Sequence, residues 1–95
     1  VWNRTGVRAR TWLAANPGGT VAPNAAAAAT GAEVVLACVG NDDDLRAVCL
    51  GPEGAFAGMA PGAVFVDHTT VSARVTRELA AVAAAQGLGY VDAPV

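Results

Sequence analysis

Three observations predict an α/β fold built around a parallel sheet. Short apolar runs of strand length alternate with alanine-rich stretches of helical period, the pattern of repeated βα units. The run Glu33 to Val39 (EVVLACV) is apolar nearly throughout instead of alternating, as expected of a strand covered on both faces. The apolar runs end in polar or small-residue loops: Asn3-Arg4-Thr5, Gly40-Asn41-Asp42, Asp67 to Thr70 and Asp92 to Pro94.

The elements follow in order. Val1-Trp2 reads as the end of a strand. Thr5 to about Ala15 is a helix, with Thr5 as N-cap and Ala9 and Leu13 four apart on one face. Asn16-Pro17-Gly18-Gly19 is a turn and Thr20-Val21-Ala22 a short strand. Pro23-Asn24 opens Ala25 to Thr30, where five successive alanines favour helix and Gly31 stops it. After the Glu33 to Val39 strand, Asp42 or Asp43 caps a helix running to about Leu50, with Leu45, Val48 and Cys49 inward. Gly51 to Gly54 is a turn and Ala63 to Val66 another buried strand. Ser72 to Gln86 is the clearest helix, since Val75, Leu79 and Val82 recur at helical spacing and Gly87 sits at its stop. Tyr90-Val91 is a last strand.

Composition bounds the function. Ninety-five residues make one domain at most, burying roughly 60–65% of the unfolded surface. The chain is 54% hydrophobic and 15% charged, so it is short of polar cover and is not disordered. A pI near 5.0 leaves no basic footprint, so nucleic acid is not an expected partner. The apolar surplus does not reach the roughly 20 residues of a membrane span, and no signal peptide is visible. Two cysteines, Cys38 and Cys49, fit no metal-ligand spacing, and Cys38 reads as a small core residue. A cytoplasmic setting is expected. Six arginines and no lysine exclude a lysine of this chain as acid, base or Schiff-base former. The ends, inside apolar strand-like segments and without an initial methionine, suggest a piece of a longer protein.

In an open parallel sheet, ligands lie at the carboxyl ends of the strands, near helix N-termini. Asn3-Arg4-Thr5 has no acid to accept from ribose hydroxyls. Arg4 instead offers a planar cation to phosphate or adenine, with Asn3 and Thr5 as short donors. The same triplet can also be a solvated arginine beside a helix cap. Gly40-Asn41 lets a backbone approach a ligand, or is an ordinary strand-to-helix turn. Asp42-Asp43-Asp44 can hold a cation or simply cap a helix. A phospho-acceptor domain built on these aspartates would need further strand-end carboxylates and a lysine. His68, the single histidine, is coupled to no nucleophile and reads as structural. Thr69 and Thr70 can bond a cofactor or cap the next helix.

The segments VWNRT, ACVGNDDDLRAV, GPEGAFAGMAPGAVFVDHTTVS, RELA and YVDAPV together resemble the NAD(P)-binding domain of the β-hydroxyacid dehydrogenases, which include 3-hydroxyisobutyrate and 6-phosphogluconate dehydrogenases. The resemblance spans nearly the whole chain. It implies a Rossmann-like doubly wound parallel sheet that is incomplete, with the first strand and the C-terminal helical domain missing, so that residues 1–95 form a partial NAD(P)-binding domain. Asn3, Arg4 and Thr5 match the adenosine-phosphate loop in its NADP-associated form, with NAD as the other option. Val39, Gly40 and Asn41 match the loop passing beside the cofactor. Asp67 to Thr70 match a D-x-S-T segment, with Thr69 where serine is usual and Thr70 at the nicotinamide end. The family's catalytic lysine and glycine-rich turn lie outside this chain, so no catalytic residue and no metal ligand are expected in it.

The implied parent is an oxidoreductase passing hydride between a small 3-hydroxy acid and a nicotinamide cofactor, homo-oligomeric at full length, with no nucleic-acid or membrane partner. The other reading is a non-catalytic nucleotide-binding or interaction module on the same scaffold. Because the missing strand would be central, the isolated polypeptide is expected to fold poorly or self-associate. A cooperative monomeric thermal transition would count against that.

Overall fold

The computed structural model describes residues 1–95. In chain order it comprises α1 (Gly6–Ala15), α2 (Ala25–Ala29), β1 (Val34–Ala37), α3 (Asp42–Cys49), α4 (Ala55–Gly58), β2 (Val64–Asp67), α5 (Ala73–Ala85) and β3 (Gly89–Asp92). The strands form one parallel sheet in the order β1-β2-β3. This is the α/β, Rossmann-like arrangement that the sequence predicts. No helix is long and apolar enough to cross a membrane.

The register explains the core. Val35 pairs with Phe65, and Phe65 with Tyr90, so these three side chains share one face of the sheet. Phe65 is fully buried and stacks on Tyr90 at a centroid distance of 5.6 Å. Phe56 of α4 meets Phe65 edge-on at 5.3 Å. Around them lie Ala25 and Ala29 of α2, Leu45 and Cys49 of α3, and Val75, Leu79 and Ala83 of α5. Gly58 lets α4 pack closely against α2, since an added Cβ there would collide with the Ala26 backbone. Gly31 and Gly87 stand just beyond the ends of α2 and α5 with φ of +77° and +74°, a conformation that ends a helix at little cost only for glycine.

The opposite face differs from expectation. Val34 and Leu36 are 54% and 67% exposed, so the β1 strand is covered on one face, not both. The row Leu36, Val66, Val91 faces away from the cluster that α2 to α5 complete. Continuous apolarity reports a strand built for two covered faces, but it does not say which elements of this chain reach each face. Cys38 is likewise exposed, not a core residue, because it falls just past β1 where the sheet opens.

Other local corrections have simple causes. Val1-Trp2 and Thr20 to Ala22 form no regular strand, yet the amino group of Val1 donates to Thr20 O at 2.7 Å and Ala22 N–H donates to Val1 O at 2.8 Å. These bonds have the pattern of parallel pairing over a single residue. Helix α4 has only four residues, too few for a period to announce it. Asn41 caps α3, its carboxamide accepting from Asp44 N–H at 2.8 Å, so neither Asp42 nor Asp43 is the cap. Ser72 caps α5 by accepting from Val75 N–H at 3.2 Å, which leaves Thr70 exposed and free of that duty. Thr5 occupies the N-cap position of α1 without a side-chain cap bond.

Candidate functional site

Two cavities border the sheet, one beside the whole length of β1 and one past the strand ends. The larger, about 810 Å³, runs between the Val1–Thr5 segment and the free edge of β1, with Trp2, Arg4, Leu36, Val39, Gly40 and Asp44 among its walls. The smaller, about 580 Å³, lies between the starts of α3 and α5 and includes Gly40, Asn41, Thr70, Ser72 and Arg74. Gly40 borders both. Asn3, Arg4, Thr5, Val39 and Gly40 therefore line the first cavity, and Gly40, Asn41 and Thr70 the second. The seven residues singled out in the sequence fall on one connected stretch of surface.

Short polar contacts shape this stretch. The Asn3 carboxamide accepts from Thr5 N–H at 2.8 Å, folding the loop so that α1 can begin. Arg4 reaches across to α3, with Nη1 2.7 Å from Asp44 Oδ1, although the two lie 40 positions apart. The Asp44 carboxylate lies over Gly40, where an added Cβ would stand 2.8 Å from Oδ2. Glycine at position 40 is thus what allows that close approach.

Asp42, released from capping, accepts from Ser72 N–H at 2.9 Å and from Ser72 Oγ at 2.6 Å. The hydroxyl bond, then the backbone bond, holds its carboxyl below the usual range, and together they clasp the start of α3 to the start of α5. Arg46 fixes the same two helices farther along, with Nε 2.6 Å from Glu78 Oε2 and Nη1 3.1 Å from Asp43 Oδ1. The three aspartates thus face Ser72, Arg46 and Arg4 one by one and form no common cation cage.

Beneath the cavities lies a buried polar chain. Asp67, at 0% exposure, accepts from Thr69 N–H at 2.8 Å and from Tyr90 O–H at 3.0 Å. Thr69 Oγ1 then accepts from Val39 N–H at 3.0 Å. No buried side-chain polar atom is left without a partner. Burial, and then the Asp67 carboxylate, push the Tyr90 phenol well above its ordinary value. The same two causes push the Cys49 thiol up to about 12, so Cys49 is an inert core residue. The His68 ring holds Nδ1 2.8 Å from Ala93 O, a bond that ties the end of β2 to the segment after β3 and fits the structural role expected for it.

Asp67, Thr69, Tyr90 and Asp44 support the site without standing among its seven residues. Asp67 and Thr69 carry a readable signal, because an aspartate two positions before an N–H can bond it in a local turn. Tyr90 and Asp44 act across 23 and 40 positions, and no local pattern announces them.

The stretch carries both charges: Arg4 stands beside Asp44 in the first cavity, Arg46 and Arg74 beside Asp42 and Asp43 in the second, and Gly40 leaves the backbone open between them. Gly40 and the N–H groups of Arg4 that Asp44 does not take leave room and donors for a phosphate-bearing ligand such as a nicotinamide dinucleotide.

Comparison with known proteins points to a nicotinamide cofactor. Residues 1–95 match the family described as the NAD-binding domain of 6-phosphogluconate dehydrogenase. A relative from Shewanella frigidimarina, described as an uncharacterized oxidoreductase, is 50% identical over 95 residues, covering 100% of this chain and 32% of the relative. The structure of Mycobacterium tuberculosis 3-hydroxyisobutyrate dehydrogenase with L-serine superposes with a TM-score of 0.84 at 28% identity, over 99% of this chain and 31% of that one. Psf3 in complex with NADP+ and 2-OPP superposes with a TM-score of 0.85 at 26% identity, over 98% of this chain and 32% of that one. The chain thus spans about a third of the length of these proteins. It belongs to the family of the NAD-binding domain of 6-phosphogluconate dehydrogenase.

Proposed function

We propose that residues 1–95 are the cofactor-holding part of an oxidoreductase that uses NADP to move hydride to or from a small 3-hydroxy acid. The observation that carries this reading is Arg4, at the mouth of the larger cavity in a loop without an acid. A carboxylate in that loop would repel a 2′-phosphate, whereas a guanidinium pairs with it through two parallel bonds. The names of the relatives, an oxidoreductase and a 3-hydroxyisobutyrate dehydrogenase, support the reaction class.

Each residue then has a task. Asn3 shapes the turn that presents Arg4, and Thr5 starts α1, whose N-terminus favours an anion. Val39, Gly40 and Asn41 pass beside the cofactor, with Val39 fixed by Thr69 and Asn41 by its capping bond. Thr70, exposed at the end of β2, bonds the nicotinamide end. The bound cofactor supplies the hydride chemistry, and the protein's part is to place it. The chain contains no lysine, and His68 is held by Ala93, so the residues here orient the cofactor and move no proton.

Titration of the full-length protein with each cofactor tests the reading. NADP+ is expected to bind more tightly than NAD+. Arg4→Ala is expected to weaken NADP+ by about 30-fold, the worth of a charge-assisted phosphate contact, and to change NAD+ by no more than about twofold. Equal affinities in the wild type, both untouched by the substitution, would contradict it.

A further inference from the structure

We propose that Asp44 is a specificity-determining residue, which sets the choice between NADP and NAD by competing with the 2′-phosphate for Arg4. The inference rests on the assignment of Arg4 to that phosphate and extends it to a residue on a different element.

Arg4 does not stand free. Its Nη1 is 2.7 Å from Asp44 Oδ1, a pair that joins the Asn3–Thr5 loop to α3 across the mouth of the larger cavity. The two partners are held unequally. The Arg4 side chain is 76% exposed and that of Asp44 24% exposed. Asp44 is also anchored, because its N–H donates to Asn41 and its carboxylate rests over Gly40. The acid is therefore the fixed member and the guanidinium the mobile one.

Two consequences follow. First, the carboxylate takes up the role of the acid that the Asn3–Thr5 loop lacks, but from the start of α3. A 2′-phosphate that takes the guanidinium through Nη1 must displace Asp44 and then sit near a like charge. NAD carries no such group, so the pair can stay closed while it binds. Second, the competition is winnable. An exposed ion pair contributes only about 0.2–1 kcal/mol, whereas phosphate offers Arg4 two parallel charge-assisted bonds. Asp44 thus tempers the preference for NADP without abolishing it, and the crevice stays open to both cofactors in a ratio that this side chain sets.

Asp44→Asn tests the proposal. It keeps the shape of the side chain and removes the charge, and Asn41 still caps the helix. Calorimetric titrations with NADP+ and NAD+ would be run on the full-length protein as wild type, Arg4→Ala, Asp44→Asn and the double variant. Asp44→Asn is expected to tighten NADP+ by about fivefold, as removal of an exposed pair and a nearby like charge implies, and to leave NAD+ within about twofold. In the Arg4→Ala background the gain is expected to shrink below about twofold, the non-additivity that shared use of Arg4 requires. An unchanged or weaker NADP+ affinity in Asp44→Asn, or an equal gain with both cofactors, would overturn the role of Asp44. If Arg4→Ala weakens NADP+ while Asp44→Asn changes nothing, only the competition falls. If Arg4→Ala also changes nothing, the assignment of Arg4 falls with it.

Discussion

Asp67→Ala is expected to destabilise the full-length protein by about 3 kcal/mol, since it leaves two inward-facing donors without an acceptor. The carboxylate is fully buried and accepts from Thr69 N–H and Tyr90 O–H. Each stranded donor costs about 1–3 kcal/mol, and relief of the carboxylate's desolvation offsets part of that. Tyr90→Phe removes one donor and is expected to cost about 1 kcal/mol. The loss should also reach the site. Thr69 holds Val39 through its hydroxyl, so a loosened Thr69 frees the Val39–Asn41 loop, and cofactor binding weakens along with stability. Urea unfolding of both variants checks the order. A midpoint for Asp67→Ala no lower than that of Tyr90→Phe would contradict the place given to this network.

Phe65→Ala is expected to cost more, about 4 kcal/mol, the usual range for truncating a buried phenylalanine. Phe65 is at 0% exposure in the central strand, stacked on Tyr90 and met edge-on by Phe56. It meets the aromatic residues of both α4 and β3, which also meet each other edge-on at 6.5 Å. Phe65→Leu keeps most of the volume and is expected to cost about 1.5 kcal/mol or less. The same urea experiment separates the two, and similar losses would mean that shape at this position matters less than the packing implies.

The sheet and the long helix were readable because their signals are local. Val75, Leu79 and Val82 repeat at helical spacing, and the apolar run around Val34 to Ala37 has the length of a strand. The loops at the strand ends were readable too, since a parallel sheet puts ligands there whatever its sequence. What escaped was whatever depends on distant partners. Nothing near Val34 or Leu36 says that α2 to α5 gather on the other face. Three aspartates in a row look interchangeable, and only the fold sends Asp42 to Ser72, Asp43 to Arg46 and Asp44 to Arg4. The cap is Asn41, one residue before Asp42 and two before Asp43, because an asparagine caps as well as an aspartate.

The placement of the cofactor is tested most directly by a crystal structure of the full-length protein with NADP+. The expected result is the 2′-phosphate within about 3 Å of the Arg4 guanidinium, the Arg4–Asp44 pair opened, and the dinucleotide running past Gly40 toward Thr70. A 2′-phosphate held by another cation, such as Arg74, or left in solvent with the Arg4–Asp44 pair intact, would contradict it.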